Sequence, residues 1–465
     1  MSQHTRRDFV RLAAAGVGAF RAFNAAAVSP IEVRLTAGSK RFAAEPPLAW
    51  KPATGAPAGG IVLDADSTYQ ELLGFGAAFT DAACYLCNQL TPDARERLFR
   101  ELFDRTEMGF SACRTCMGAS DYSRNAYSYD DGTPDPELSR FSIEHDRAYI
   151  LPMLRLARRI NPELFLLATP WSPPGWMKFN GSMLGGSMRK KYLPEYANYF
   201  VKFLQAYRAE DVMVNAVTSQ NELDTDQDGR MPACLWGQEY EIEFVGQHLG
   251  PLLEKSGLTT KIWILDHNYS LWGRAICELD DADVRRYADG IAWHGYVGEP
   301  DAMTRVHEAH PDKHAYWTEG GPDYTDPDYQ TEWAKWSATF AGVLRNWARS
   351  ITAWNIALDE KGRPNIGPFN CGGLVTIDSR TKEITRSGQY WAFAHYSRAL
   401  RRGARRFDSR GDVDGISHVA FANPDGGAAL VLANTGGERR VPVQMSGLMT
   451  EAMLPANSVM TLTWR

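Results

Sequence analysis

Eight short apolar runs recur between residues 72 and 358, spanning 72–79, 110–117, 164–171, 213–221, 261–267, 290–296, 314–319 and 351–358. Each is too short for a typical helix, rich in β-branched or aromatic residues, and nearly free of polar alternation. Such runs read as strands buried on both faces, as in a parallel sheet. Helical patterns separate them. Thr91-Pro92-Asp93 opens one that continues through Leu98, Phe99, Leu102 and Phe103. Pro194-Glu195 opens another, with Tyr196, Tyr199, Phe200, Phe203, Leu204 and Tyr207 on one stripe. A third, residues 331–345, carries Trp333, Trp336, Phe340 and Leu344. Eight strand–helix units in succession predict an α/β chain folded as a (β/α)8 TIM barrel.

The ends obey a different pattern. Residues 31–35 alternate as a strand, and residues 418–422 and 428–432 flank the turn Asn423-Pro424-Asp425-Gly426-Gly427. Residues 441–443 and 460–464 add further strands. A chain of 465 residues exceeds one core, so a small β-sandwich formed by both termini is expected beside the barrel. The expected boundaries are a leader at 1–27, a sandwich segment at 28–68, the barrel at 69–400 and the remaining sandwich at 401–465. The leader has paired Arg6-Arg7, an apolar run at 12–20 and a small-residue stretch ending at Ala27. That is the layout of a twin-arginine export signal, implying a periplasmic or extracellular protein, and the apolar run is too short to span a bilayer stably.

A net charge of −6 disfavours nucleic acid as a partner. Among seven cysteines, Cys84-x-x-Cys87 and Cys113-x-x-Cys116 have the outline of a four-cysteine zinc site. Against this, residues three apart in a strand point to opposite faces. Buried thiols, with or without an incidental disulfide, are the expected state, and no metal or other cofactor is predicted.

The chemistry concentrates at strand ends. Glu222 closes the fourth run and Glu319 the seventh. Barrel active sites form at the C-terminal ends of strands. Two carboxylates facing each other there are the working parts of glycoside hydrolysis.

Gly74-Phe75-Gly76-Ala77-Ala78-Phe79-Thr80-Asp81, Ser172-Pro173-Pro174-Gly175-Trp176, Gln220-Asn221-Glu222 and Trp354-Asn355-Ile356-Ala357-Leu358 together resemble glycoside hydrolase family 30, most closely its glucosylceramidase-like branch. The resemblance runs from about Gly74 to Leu400. It implies a retaining mechanism with Glu222 as acid/base, its pKa raised by burial, and Glu319 as nucleophile. It implies Arg114 and Tyr296 as neighbours of the nucleophile, and His294 as an orienting partner. Asp121 would grip sugar hydroxyls as a carboxylate, Asn221 the 2-hydroxyl, and Trp171 and Trp354 would wall the sugar site. Asp81 is expected to be structural. The implied substrate is carbohydrate or glycolipid, either a glucosylceramide-like or simple β-glucoside, with a β-1,6-glucan as the alternative. β-Xyloside cleavage and a carbohydrate-binding protein on an inactive barrel are weaker readings. Two departures stand out. Gly295 replaces a family tryptophan, which is expected to open the aglycone side, and Asn370 would supply a sugar contact only after a one-residue shift.

Overall fold

The computed structural model describes residues 29–53, 55 and 59–465. The expected export leader lies outside them. Eight parallel strands close into a barrel: β1 (Gly74–Phe79), β2 (Ala112–Cys116), β3 (Phe165–Thr169), β4 (Ala216–Thr218), β5 (Lys261–Asn268), β6 (Ala288–His294), β7 (His314–Glu319) and β8 (Ala348–Ala353). The last pairs with the first through Ile351–Phe75 and Ala353–Ala77. All eight expected runs are therefore barrel strands.

Two of them end differently from expectation. The fourth is only three residues long, because Glu222 turns the chain away with a left-handed φ of 50°. The eighth stops at Ala353, where Asn355 has a φ of 68°. Ala357–Leu358 then leaves the barrel and pairs with Val375–Ile377 in a separate three-stranded sheet.

The barrel interior is layered. Phe165 stacks on Trp263, and Trp263 on Tyr316, at centroid separations of 5.6 and 3.7 Å. This aromatic floor sits with Leu167, Ala216 and Ala292. One inward step up each strand, the apolar filling gives way to Thr169, Thr218, Thr318 and His294, all buried. Period-two alternation produces this, since residues two apart share a face. A dry base thus supports a polar layer under the barrel mouth.

The helices cover the outside as their stripes require. The helix Pro92–Phe103 starts at the expected cap, with Thr91 accepting the Ala94 N–H, and buries Leu98, Phe99, Leu102 and Phe103. Leu193–Ala209 and Trp333–Arg345 bury the aromatic stripes expected of them.

Both termini build a ten-stranded sheet that folds over its own core. Its first strand, Ile31–Ala37, pairs with its last, Ser458–Trp464, through Val33–Leu462. The strand Ile61–Glu71 pairs with Arg405–Arg410. It runs past the expected boundary at residue 68, because Gln70 is tied to the barrel-wall carbonyls of Leu344 and Ala348 while Glu71 still pairs with Arg405. Arg345 donates back to the Ser409 carbonyl, and His395 bridges Thr36 and Thr461 across the seam. These buried polar ties fix the sandwich against the barrel.

The cysteines divide as strand geometry demands. Cys113 packs in the main core with Cys84 and Cys87, whereas Cys116 faces Tyr122, Trp171 and Trp354. All seven are free thiols, and the four of the two pairs do not converge as metal ligands among the described residues. No helix of the described residues is long and apolar enough to cross a membrane.

Candidate active site

Arg114 is the hub. It projects from β2 into the barrel, is fully buried, and spreads its donors over four acceptors. Nη1 donates to Glu319 Oε2, and Nη2 to Asp266 Oδ2 at 2.7 Å and to Asn221 Oδ1 at 2.9 Å. Nε reaches Thr169 Oγ1 at 3.2 Å. Only a guanidinium can address so many separate acceptors in one plane. Its flat face lies over the Trp171 ring at 4.6 Å.

Glu319 is held from both sides. Arg114 takes one oxygen, and the Tyr296 hydroxyl donates to the other at 3.1 Å. Glu222 faces it from the loop after β4. Gln227 donates to Glu222 Oε2 at 2.8 Å, and the backbone N–H of Glu222 itself donates to the Asp266 carbonyl at 3.1 Å. A carboxylate oxygen of Glu222, one of Glu319 and a ring nitrogen of His294 all lie within 4.8 Å of one another. These three donors are the one group among the described residues with the spacing of a cation site. Their atoms are already engaged with each other and with Arg114.

His294 sits below the two glutamates. Nε2 is 3.1 Å from Asp266 Oδ1 and 3.7 Å from Glu319 Oε2, and Nδ1 is 3.5 Å from Glu222 Oε1. Burial disfavours the imidazolium, but Glu319, Asp266 and Glu222 outweigh it and raise the pKa to about 9. His294 is thus a charged group at neutral pH, not only an orienting partner. The same contact alters Glu222. Burial pushes its pKa up as expected and is the largest single influence. His294, His267 and Gln227 together pull it below the ordinary value. Between the two, these shifts favour the proton on the imidazole.

A folded-state pKa raised from 6.5 to about 9 stabilises the fold fully below 6.5, and that stabilisation is lost as pH rises through about 9. The melting temperature should therefore fall between pH 6.5 and 9. His294→Gln should flatten that slope, and parallel slopes in the two proteins would refute the assignment.

Asp266 went unnoticed in the sequence, yet it organises the floor. Its carboxylate accepts from Arg114, Thr169, Thr218, Thr318 and His294. Burial raises its pKa, but Arg114 and His294 hold it far below the usual carboxylate range. The local backbone explains how it points inward. Leu265 pairs with Ala292, and His267 with Trp293, so Asp266 is an extra residue on β5. Leu265 and Asp266 have φ of 72° and 49°. This bulge reverses the alternation, turning Leu265 out to the main core and Asp266 in.

Above this floor, Asp121, Trp171, Asn221, Trp354, Phe369 and Cys371 wall the pocket, with Met231 and Tyr296 completing it. Every site residue expected from sequence is therefore in the pocket or directly beneath it. Trp171 and Trp354 stack on each other at 5.0 Å, nearly parallel, and both are buried. Asn221 spends its oxygen on Arg114. Asp121 is buried, and its Oδ1 has no hydrogen-bond partner. Burial, then Glu319 and Glu222, drive its pKa well above normal. This shift favours the protonated acid over the carboxylate.

Two further expectations resolve here. Asp81 is structural: it accepts from the Arg124 N–H, His145 and Tyr149. Asn370 is exposed and outside the pocket, whose wall is built by its neighbours Phe369 and Cys371. A Cβ at Gly295 would lie 2.7 Å from the Trp317 ring, which also presses on Gly320, so a side chain there would require this buried indole to shift.

Comparison with known proteins agrees with this architecture. Residues 72–400 match the glycosyl hydrolase family 30 TIM-barrel domain, and residues 403–462 match the glycosyl hydrolase family 30 β-sandwich domain. The chain is 34% identical over 414 residues to an endo-1,6-β-D-glucanase of Neurospora crassa, covering 84% of this chain and 85% of that protein. It is 28% identical over 432 residues to the lysosomal acid glucosylceramidase of Mus musculus, covering 87% and 83%. A solved endo-β1,6-glucanase superposes with a TM-score of 0.84 at 30% identity, covering 94% of this chain and 99% of that one. With its barrel and sandwich both matched and two carboxylates facing each other at the barrel mouth, the chain belongs to glycosyl hydrolase family 30 and is a glycoside hydrolase.

Proposed function

We propose that this enzyme is a retaining endo-β-1,6-glucanase. The observation that carries the mechanism is the approach of Glu222 and Glu319 to within 4.8 Å. Inverting enzymes hold their carboxyl groups roughly 6.5–9.5 Å apart to admit a water, and retaining ones about 5–5.5 Å. Glu319 attacks the anomeric carbon while the bond to the leaving oxygen breaks and Glu222 delivers a proton to that oxygen. Water then attacks the same carbon, gives its proton to Glu222, and frees Glu319. Arg114 and Tyr296 hold Glu319 aimed. For the first step the proton shared between His294 and Glu222 must lie on Glu222. A sugar filling the pocket favours this by excluding water from the carboxyl.

The glucan reading replaces glucosylceramide as the leading substrate. It is supported by the greater identity to glucanases and by the pocket rim. Tyr296 and Phe369 line the pocket yet remain 45% and 42% exposed, and neighbouring Val297 is 55% exposed. An exposed aromatic rim suits further sugar rings beyond the one in the pocket. The twin-arginine leader would deliver the enzyme to polysaccharide outside the cytoplasm.

The test is to incubate the mature enzyme with a β-1,6-glucan and follow product sizes. Early appearance of mixed oligosaccharides is expected. Release of glucose alone would show exo action, and cleavage of glucosylceramide but not glucan would restore the displaced reading.

Asp121 should matter for sugar capture. Its buried, unpartnered oxygen is free to bond a sugar hydroxyl, so Asp121→Ala should lower kcat/KM roughly 10- to 100-fold. Steady-state kinetics on gentio-oligosaccharides would measure this, and an unchanged kcat/KM would remove Asp121 from substrate binding.

A further inference from the structure

Outside the pocket, one buried carboxylate touches both the end of β4, ahead of Glu222, and the bulge of β5, which carries Asp266. Glu241 lies on the helix Gln238–Glu243 and is fully buried. Its Oε1 accepts from the Ser219 hydroxyl at 2.6 Å and from the Leu265 backbone N–H at 3.0 Å. Ser219 is three residues before Glu222. Leu265 is the outward half of the β5 bulge, and its N–H lies on the helix side of the barrel. Oε2 is held by Arg274 at 3.1 Å, which also binds Glu278 at 2.7 Å.

The bulge is costly. Two successive residues with left-handed φ, neither of them glycine, are strained and persist only where their surroundings over-determine them. On the inside, five donors to the Asp266 carboxylate hold the bulge. On the outside, Glu241 is the acceptor that holds it. Because the Glu222 N–H donates to the Asp266 carbonyl, the bulge also sets where the Glu222 backbone turns.

We propose that Glu241 is a positioning residue for Glu222. By accepting from the tip of β4 and from the bulge of β5 through one oxygen, it fixes the spacing of those two strand ends. Glu222 is thereby placed to protonate a leaving oxygen. This role rests on the reading of Glu222 as the acid/base.

The test compares kcat/KM for dinitrophenyl and methyl β-gentiobiosides, with the matching β-glucosides alongside. A dinitrophenolate departs without a proton, whereas a methoxide cannot. Glu222→Ala should therefore lose about 100-fold or more on the methyl substrates and little on the dinitrophenyl ones. Glu241→Met should show the same pattern at a loss of at least about tenfold, since Arg274 keeps Glu278 as its partner. Glu241→Gln retains an acceptor oxygen and should recover most of the loss. Ser219→Ala removes one donor without stranding a charge. It should show a weaker version of the pattern even if Glu241→Met does not fold.

Equal losses on both leaving groups in the Glu241 and Ser219 variants, beside a discriminating Glu222→Ala, would overturn the positioning role alone. Equal losses in Glu222→Ala itself would overturn the acid/base assignment, and the positioning role with it.

Discussion

Glu319→Gln should abolish turnover, by on the order of 10⁴-fold or more, while binding of a gentio-oligosaccharide persists. The amide keeps the shape of the carboxylate but cannot attack the anomeric carbon or be released as a leaving carboxylate. Tyr296 and Arg114 would still face it, and the sugar walls at Trp171, Trp354 and Asp121 are untouched. Kinetics and titration calorimetry on the same preparation would separate the two effects. Retention of more than about one per cent of activity would mean that another group attacks the sugar. Loss of binding together with activity would mean that Glu319 holds substrate rather than reacting with it.

Arg114→Met should have the second-largest effect, and on stability as well as rate. The side chain is fully buried between Asp266 and Glu319, so its loss strands two carboxylates beneath the pocket. Breaking a buried pair on one side costs about 3–5 kcal/mol. Asp266 would take up a proton more readily, and Glu319 would lose the guanidinium that aims it. Arg114→Lys should recover little, because one ammonium cannot reach Glu319, Asp266, Asn221 and Thr169 from a single position. Denaturant unfolding with parallel kinetics measures both. A variant as stable as the parent would show that Arg114 is not the electrostatic keystone described.

The eight strands were legible because a parallel barrel strand is buried on both faces and its sequence says so without help from its neighbours. Glu222 and Glu319 were legible because each ends such a run. Arg114, Tyr296, Asp121, Asn221, Trp171 and Trp354 came from the family resemblance, and the pocket gathers all of them. What escaped was set by backbone irregularity or by distant contacts. Asp266 lies within a run that alternation assigns the wrong way round, since a single bulged residue flips the face. Glu241 reads as an ordinary helix acid, and nothing local signals that its oxygen reaches two strands. The pKa shifts of Asp121 and His294 depend on burial and on carboxylates from distant strands that only the fold brings together. The sandwich strand Arg405–Arg410 carries four charged residues among six, which hid it from a reading based on apolar runs.

The account stands or falls on the stereochemistry of the first product. Proton NMR of the mature enzyme acting on a β-1,6-glucan, recorded before mutarotation, should show the new reducing ends as β-anomers. α-Anomers appearing first would mean that water attacks directly, and would contradict the roles given to Glu222 and Glu319.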